Sequence, residues 1–402
     1  MTAVPGSAPS STPTGPDYAP IGTVGASAIA AAAVLPALPL PRLAGRPLPL
    51  ALPARLYVCG ITPYDVTHLG HAATFVWADA LARVLRLADI PSLTTRNVTD
   101  VDDVLTAAAA RQGADYASFG LVQEHQFDRD MKALSVREPQ HVPRARHHID
   151  HVIRLASTLL SRKAAYERDG TVYFRAGDIA LDHGLDRDEG LRLLTERGDR
   201  PDDPNRDDPF DVPVWQRSGP EDPAWPSPWG PGRPGWHAEC SAMALATLGG
   251  LVDVLVGGSD LAFPHHAYQS AIAAAVTDGP FRRATMSVGA VRYRGHKMAK
   301  STGNLVLVND LLSSAAPAAL RLMLLHRPWS HSWEFEPSEV TAATETLDEL
   351  YRAAGRAGGS DGPVAAVTRA LLDDLDVPTA LTIALSEGGD AARLVIRTLA
   401  LD

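Results

Sequence analysis

The sequence predicts an α/β protein: a parallel-sheet core that holds a nucleotide, split by an insertion and followed by a helical region. Three observations predict it. A short apolar run, Leu56-Tyr57-Val58, leads into Cys59-Gly60, a Pro-containing turn, and a helix start at His68-Leu69-Gly70-His71. Thr74 to Ala88 keeps apolar residues at helical spacing and Pro91 to Asn97 reads as another short strand, so strand, helix and strand open a parallel βαβ unit. Between Asp199 and Pro234 the composition turns to Pro, Asp, Gly and Trp, which reads as irregular backbone, and so long a loop is usually functional or the edge of an insertion.

Taken in order, the first 50 residues carry three charges (Asp17, Arg42, Arg46) and ten prolines. Ala26 to Leu35 is apolar, but no basic residue precedes it and it runs into Pro36, Pro39 and Pro41. A signal peptide needs a positive n-region and a membrane helix about 20 uninterrupted apolar residues. Residues 1–50 therefore read as a flexible Pro/Ala-rich extension on a cytoplasmic protein without membrane contact. Residues 51–124 are expected to form the first half of the core, 125–233 the inserted domain, 234–310 the second half, and 311–402 the helical C-terminal region.

Within these limits Val104 to Glu167 reads as mostly helical and Gly170 to Arg175 as an edge hairpin strand. Gly235 to Leu248 reads as a helix beginning near Trp236, and Val252 to Val256 as a strand. Phe263-Pro264-His265-His266 opens the next helix, Val288 to Tyr293 is a strand, and Arg294 to Asn304 a loop. The pattern beyond Asn309 is helical, broken by the Gly-rich stretch Ala357 to Gly362.

Composition narrows the function classes. Hydrophobic content of 45% and charged content of 21% are ordinary for a globular chain. A formal net charge of -10 with no long basic run argues against gripping a large RNA, which is largely phosphate neutralisation by Lys and Arg. Two cysteines make no disulfide framework, so Cys59 and Cys240 are free thiols, metal ligands or one bridge.

Four groups of residues carry candidate chemistry. Cys59, Cys240 and His265 are the right types for zinc, and three protein ligands leave one tetrahedral position open; the competing reading is that both cysteines are small buried hydrophobes, since no CxxC pair exists. His68 and His71 share one helix face, with Thr67 placed to cap it, and could donate to phosphate oxygens; a surface pair is the alternative. Lys297 and Lys300 in the loop Lys297-Met298-Ala299-Lys300-Ser301 suit a mobile polyphosphate clamp, or a solvated basic turn. His147, His148 and His151 read as a surface helix, and Asp100, Asp102 and Asp103 as a strand end that could also hold magnesium.

Together the motifs resemble a known family. THLGHA and KMAKS resemble the two ATP signatures of class I aminoacyl-tRNA synthetases, and YVCGITPYDVTHLGHA, NVTDVDD, GPGRPGWHAECSAMA and GGSDLAFPHH resemble the cysteinyl branch, over residues 55–340. Within it the chain more closely resembles the mycothiol cysteine ligases. Glu196-Arg197-Gly198-Asp199-Arg200-Pro201 is similar to their ERGGDP signature, and Gln269 falls where cysteinyl-tRNA synthetases place a fourth zinc ligand, Glu, that the ligases also lack. Residues 311–402 are also fewer than an anticodon-binding region would need.

The resemblance implies a Rossmann-type class I synthetase core with a connective insertion. It implies one Zn2+ per chain at Cys59, Cys240 and His265, whose open position takes the thiolate of L-cysteine and so rejects serine. It implies a cysteinyl-adenylate pocket at Cys59, Gly60, Ile61, Thr62, Thr74, Asn97, Val98, Thr99, Trp236, Gly258, Ser259, Asp260 and Val291. His68, His71, Lys297 and Lys300 would act on ATP, used with Mg2+, and the amine of glucosaminyl-inositol would be the acceptor rather than tRNA. A monomer is expected. Ala299 replaces the Ser of KMSKS, which is expected to slow adenylation without abolishing it.

Overall fold

The computed structural model describes residues 39–64, 67–220, 222–298, 302–359 and 361–402. The core sheet comprises β1 (Ala54–Ile61) and β2 (Ser92–Val98), joined by α1 (Leu69–Leu87), and two later strands, β7 (Val252–Gly258) and β8 (Arg282–Val288). All pairings are parallel, in the order β8-β7-β1-β2. Alternation on β1 sends Leu56 and Val58 to one face, against α1 and the C-terminal helices, and Tyr57 and Cys59 to the other.

Between the two halves run α2 (Asp103–Arg111), α3 (Tyr116–Ala133) and α4 (Ile149–Ser161), then the strands β3 (Ala165–Arg168) and β4 (Thr171–Phe174). Helix α5 (Arg187–Glu196) and strands β5 (Val212–Arg217) and β6 (Gly232–Pro234) complete this region. Its sheet is antiparallel, β3-β4-β5-β6. Helix α3 spans residue 125, and its Phe127 and Met131 pack into the α1 side of the core.

Helices α6 (Trp236–Leu248) and α7 (Ala267–Thr277) cover the second face of the core sheet. A small sheet of β9 (Val291–Tyr293), β10 (His296–Lys297) and β11 (Trp333–Glu334) follows. The C-terminal region is α8 (Val308–Leu312), α9 (Pro317–Leu325), α10 (Ser338–Ala354), α11 (Asp361–Leu372), α12 (Val377–Glu387) and α13 (Gly389–Leu399).

The structure departs from the sequence expectation in several places, among them the short strands β10 and β11 in stretches expected as loop and helix. β4 is interior to its sheet, not an edge, because it pairs with both β3 and β5. The Pro/Asp-rich stretch contains β5 and β6; Val212, Val214 and Trp215 bury their side chains and outweigh Pro213. The fourth core strand, at 282–288, was not expected, while the strand expected at 288–293 is β9 of the small sheet: β8 is an edge strand whose sequence, RRATMSV, buries only Met286 and Val288. Finally, residues 39–50 belong to the packed unit, with Leu43 and Leu48 buried. Among the described residues no helix is long and apolar enough to cross a membrane.

Candidate active site

The end of β1 aims Cys59 through a local irregularity. Pairing with β2 runs Val58 to Arg96 and then Ile61 to Val98, so β1 carries one extra residue, a bulge, across Cys59-Gly60. The backbones come so close that a Cβ on Gly60 would lie 1.7 Å from the Asn97 carbonyl oxygen, which requires glycine there. Asn97 Oδ1 accepts from Gly60 N at 2.9 Å, while its Nδ2 donates to Cys240 Sγ at 3.4 Å.

Cys59, Cys240 and His265 converge here, with one ligand atom from each within 4.8 Å of the others and all three buried. They fit a soft metal such as zinc: two sulfurs, one imidazole and no carboxylate among them. Burial pushes the Cys240 thiol up and holds the His265 ring neutral. His237 and His265 share a hydrogen bond between their Nδ1 atoms at 2.9 Å, and Trp236 stacks on His265 with ring centroids 4.2 Å apart, so the ring is held on two sides. Gln269 Oε1 accepts from Cys59 Sγ at 3.6 Å, placing a neutral amide beside the cluster.

A cleft of about 540 Å³ opens from this cluster. Helix α1 begins at its wall. His68, not Thr67, is the N-cap: its Nδ1 accepts from Gly70 N at 3.1 Å, which leaves the proton of a neutral ring on Nε2. His71 stacks on His68 with centroids 3.8 Å apart. Burial lowers the His71 pKa to about 4 against an opposing pull from Asp260, and Lys297 lowers it further, so His71 offers a neutral N–H near pH 7.

An unfolded His71 takes its proton near 6.5 and the folded one near 4, so the unfolded chain binds more protons between them. The stability contributed by the neutral ring is complete above about pH 6.5 and declines as pH falls towards 4. In a histidine NMR titration of the folded protein, the ring assigned by loss of its signal in His71→Asn should stay neutral from pH 5.5 upward; a midpoint near 6.5 would contradict its burial.

Asp260, also in the lining, collects two cations. Lys297 Nζ donates to its Oδ2, as does Arg197 Nη2 at 2.7 Å, and the same Nη2 reaches the Asp260 carbonyl at 2.8 Å. Burial alone would raise this carboxyl; Lys297 and Arg197 hold it at about 2. The carboxylate thereby ties the KMAKS loop and the end of α5 to one point of the core.

Most of the residues nominated from sequence line this cleft: Cys59, Gly60, Ile61, Thr62, His68 and His71; Thr74, Asn97, Thr99 and Trp236; and Cys240, Gly258, Asp260, His265, Val291 and Lys297. Val98 is fully buried in β2, and Ser259 starts a short 3-10 turn; neither is among the lining residues. Lys300, with Ala299, lies outside the described residues. Sequence reasoning missed Arg197 and His237 as site groups, whereas Gln269 stands beside the cluster at the position the resemblance gave it. Arg197 stands in the ERGDRP signature and His237 next to Trp236, so each had a signal, but only the fold brings them to the cleft or the cluster.

Residues 51–345 match the family described as tRNA synthetases class I (C) catalytic domain. The chain is similar to the L-cysteine:1D-myo-inositol 2-amino-2-deoxy-alpha-D-glucopyranoside ligase of Acidothermus cellulolyticus, 43% identical over 82% of this chain and 83% of that one. It is 42% identical to the ligase of the same name from Mycolicibacterium gilvum, over 84% of this chain and 78% of the relative. Among solved structures it resembles Mycobacterium tuberculosis methionyl-tRNA synthetase in complex with methionyl-adenylate, with a TM-score of 0.62 and 16% identity over 87% of this chain and 89% of that one, a likeness of fold.

Proposed function

The chain belongs to the tRNA synthetase class I (C) catalytic-domain family, and from that premise we propose that it activates L-cysteine with ATP and joins it to the amine of glucosaminyl-inositol. The observation that carries this reading is one cleft shared by a buried Cys59-Cys240-His265 cluster and by His71 and Lys297, in a chain 43% identical to a ligase of that name.

Cys59, Cys240 and His265 would hold one zinc ion, which supplies a soft site for a thiolate that serine's hydroxyl does not match. In the first step the cysteine carboxylate attacks the α-phosphorus of ATP, taken with Mg2+; a P–O bond forms and the bond to pyrophosphate breaks. His71, as a neutral N–H donor, and His68 face the phosphates from the start of α1. Lys297 leaves Asp260 for the departing pyrophosphate, and Lys300 is assigned to the same clamp. Gly60, Asn97 and Trp236 enclose the adenylate. In the second step the neutral amine attacks the activated carbonyl, the C–O bond to AMP breaks, and the amine's proton passes to solvent.

The net charge of -10 supports the aminosugar over tRNA as acceptor. We assign a cytoplasmic monomer to this role. Arg197 reaches the cleft from the inserted region, on the same Asp260 that holds Lys297, and is assigned to the acceptor in this reading. Arg197→Ala should raise the KM for glucosaminyl-inositol about tenfold or more, in proportion to the loss of a charged hydrogen bond, while cysteine-dependent ATP–pyrophosphate exchange changes far less. Equal losses in both assays would remove Arg197 from the acceptor site.

The direct test incubates the protein with ATP, cysteine and glucosaminyl-inositol, beside a second reaction with tRNA, and follows AMP and the cysteinyl product by mass spectrometry. Amide on the aminosugar and none on tRNA is expected. AMP without a transferred product would mean that another amine is the acceptor, and no AMP in either reaction would refute the activation step.

A further inference from the structure

A second cavity, of about 190 Å³, lies between α1, β2 and residues 136–140. Its walls follow the periods of the elements that build it: Phe75, Ala78, Asp79, Ala82 and Arg86 along one stripe of α1, and Ser92, Thr94 and Arg96 at every second position of β2. The volume is below the roughly 300–1,000 Å³ of sites for drug-sized ligands, so any ligand is compact. Nothing in the adenylation chemistry uses it.

Its charge is out of balance. Asp79, its buried acid, is already shared by three guanidiniums: Arg83 at 2.7 Å, Arg137 at 3.2 Å, and Arg321. Arg137 lines the cavity, and so does Arg86 at its exposed mouth. Burial, together with the charges of Arg83 and Arg86, lowers the Arg137 guanidinium in spite of Asp79. Arg96 is 8% exposed, lies over the Phe127 ring at 4.8 Å, and donates Nη2 to Asp128 at 2.8 Å; its Nε is buried and has no hydrogen-bond partner among the described residues. Buried donors without acceptors are uncommon in folded proteins. The other acid at the cavity, Glu138, is exposed.

We propose that this cavity is a second ligand site, for a compact oxyanion of the phosphate or short-carboxylate class, held by Arg96 and Arg137 with Arg86 at the entrance. Planar guanidiniums match the oxygen geometry of either anion. The site abuts the catalytic cleft. Phe75 lines both cavities, Phe127 meets Phe75 edge-on at 4.9 Å beneath Arg96, and Asn97, next to Arg96 on β2, reaches Cys240. The inference does not depend on the identity of the acceptor.

The experiment fills the cleft of the full-length protein with a non-hydrolysable cysteinyl-sulfamoyl adenosine, then titrates inorganic phosphate and, separately, malonate by calorimetry. Saturable one-to-one binding of at least one is expected, and which anion binds distinguishes phosphate from carboxylate. Arg137→Gln should weaken it at least tenfold. Because Arg137 also supports Asp79, Ala82→Leu provides an independent check: it fills the cavity, keeps every arginine and suits a helix, and it should weaken binding by a similar factor with an unchanged melting temperature. No saturable binding with the cleft filled, or binding that neither variant weakens, overturns the proposal.

Discussion

Replacing Cys240 by alanine is expected to abolish binding of the proposed metal and to collapse cysteine-dependent ATP–pyrophosphate exchange. Cys240 is fully enclosed on α6, and its sulfur, the Cys59 sulfur and a His265 nitrogen lie within 4.8 Å of one another. With one sulfur gone, a sulfur and an imidazole remain, too few to close a tetrahedral site around a substrate ligand. Altering an outer partner of a metal ligand typically costs about 10–100-fold in affinity or activity, and loss of a ligand itself should exceed that. Metal content by mass spectrometry should fall from one per chain towards zero. The discrimination between cysteine and serine should fall with it, since the remaining pocket separates isosteres only weakly, by about 10²-fold. A Cys240→Ala protein that retained metal and full exchange would refute the ligand assignment. Cys240 Sγ accepts from Asn97 Nδ2 and otherwise meets the Cys59 and Tyr57 side chains, so no backbone group loses its partner and the fold should persist, with the cavity left by one sulfur as the main cost.

The site was legible in the sequence where local pattern and placement coincide. LYVCGITPYDVTHLGHA announces a strand, a turn and a helix start, and the structure puts Cys59, His68 and His71 at those points. The cap itself was not legible, because Thr67 and His68 are both plausible from local chemistry and only the Gly70 N–H to His68 Nδ1 bond selects between them. β8 was obscured because an edge strand needs only two buried side chains, too few for a periodic signal. β5 was obscured because Pro213 and the surrounding acids outweigh Val212, Val214 and Trp215 in a local reading, while burial decides in the fold. The Arg197–Asp260 contact spans 63 positions and joins the inserted region to the core, so no pattern within either segment could reveal it.

Exchanging His71 for asparagine should lower adenylate formation by about 10²–10³-fold, the usual cost of removing one donor from a developing charge. The expectation rests on what kind of donor His71 is. Burial keeps it neutral, so it stabilises charge through a directed N–H rather than as a cation, and asparagine cannot reproduce the reach or the stacking on His68 at 3.8 Å. Because the interaction is assigned to the transition state, kcat for exchange should fall with little change in KM for ATP or cysteine. Lys297→Ala should differ in kind. Lys297 is paired with Asp260 before ATP arrives, so its removal also frees Asp260, whose carboxylate then faces the incoming phosphates with only Arg197 against it. KM for ATP should therefore rise as kcat falls. If both residues act on the same phosphates, the double variant should lose less than the product of the two single losses. A strictly multiplicative loss would separate them into independent roles, and near-normal exchange in His71→Asn would remove the histidine from the reaction altogether.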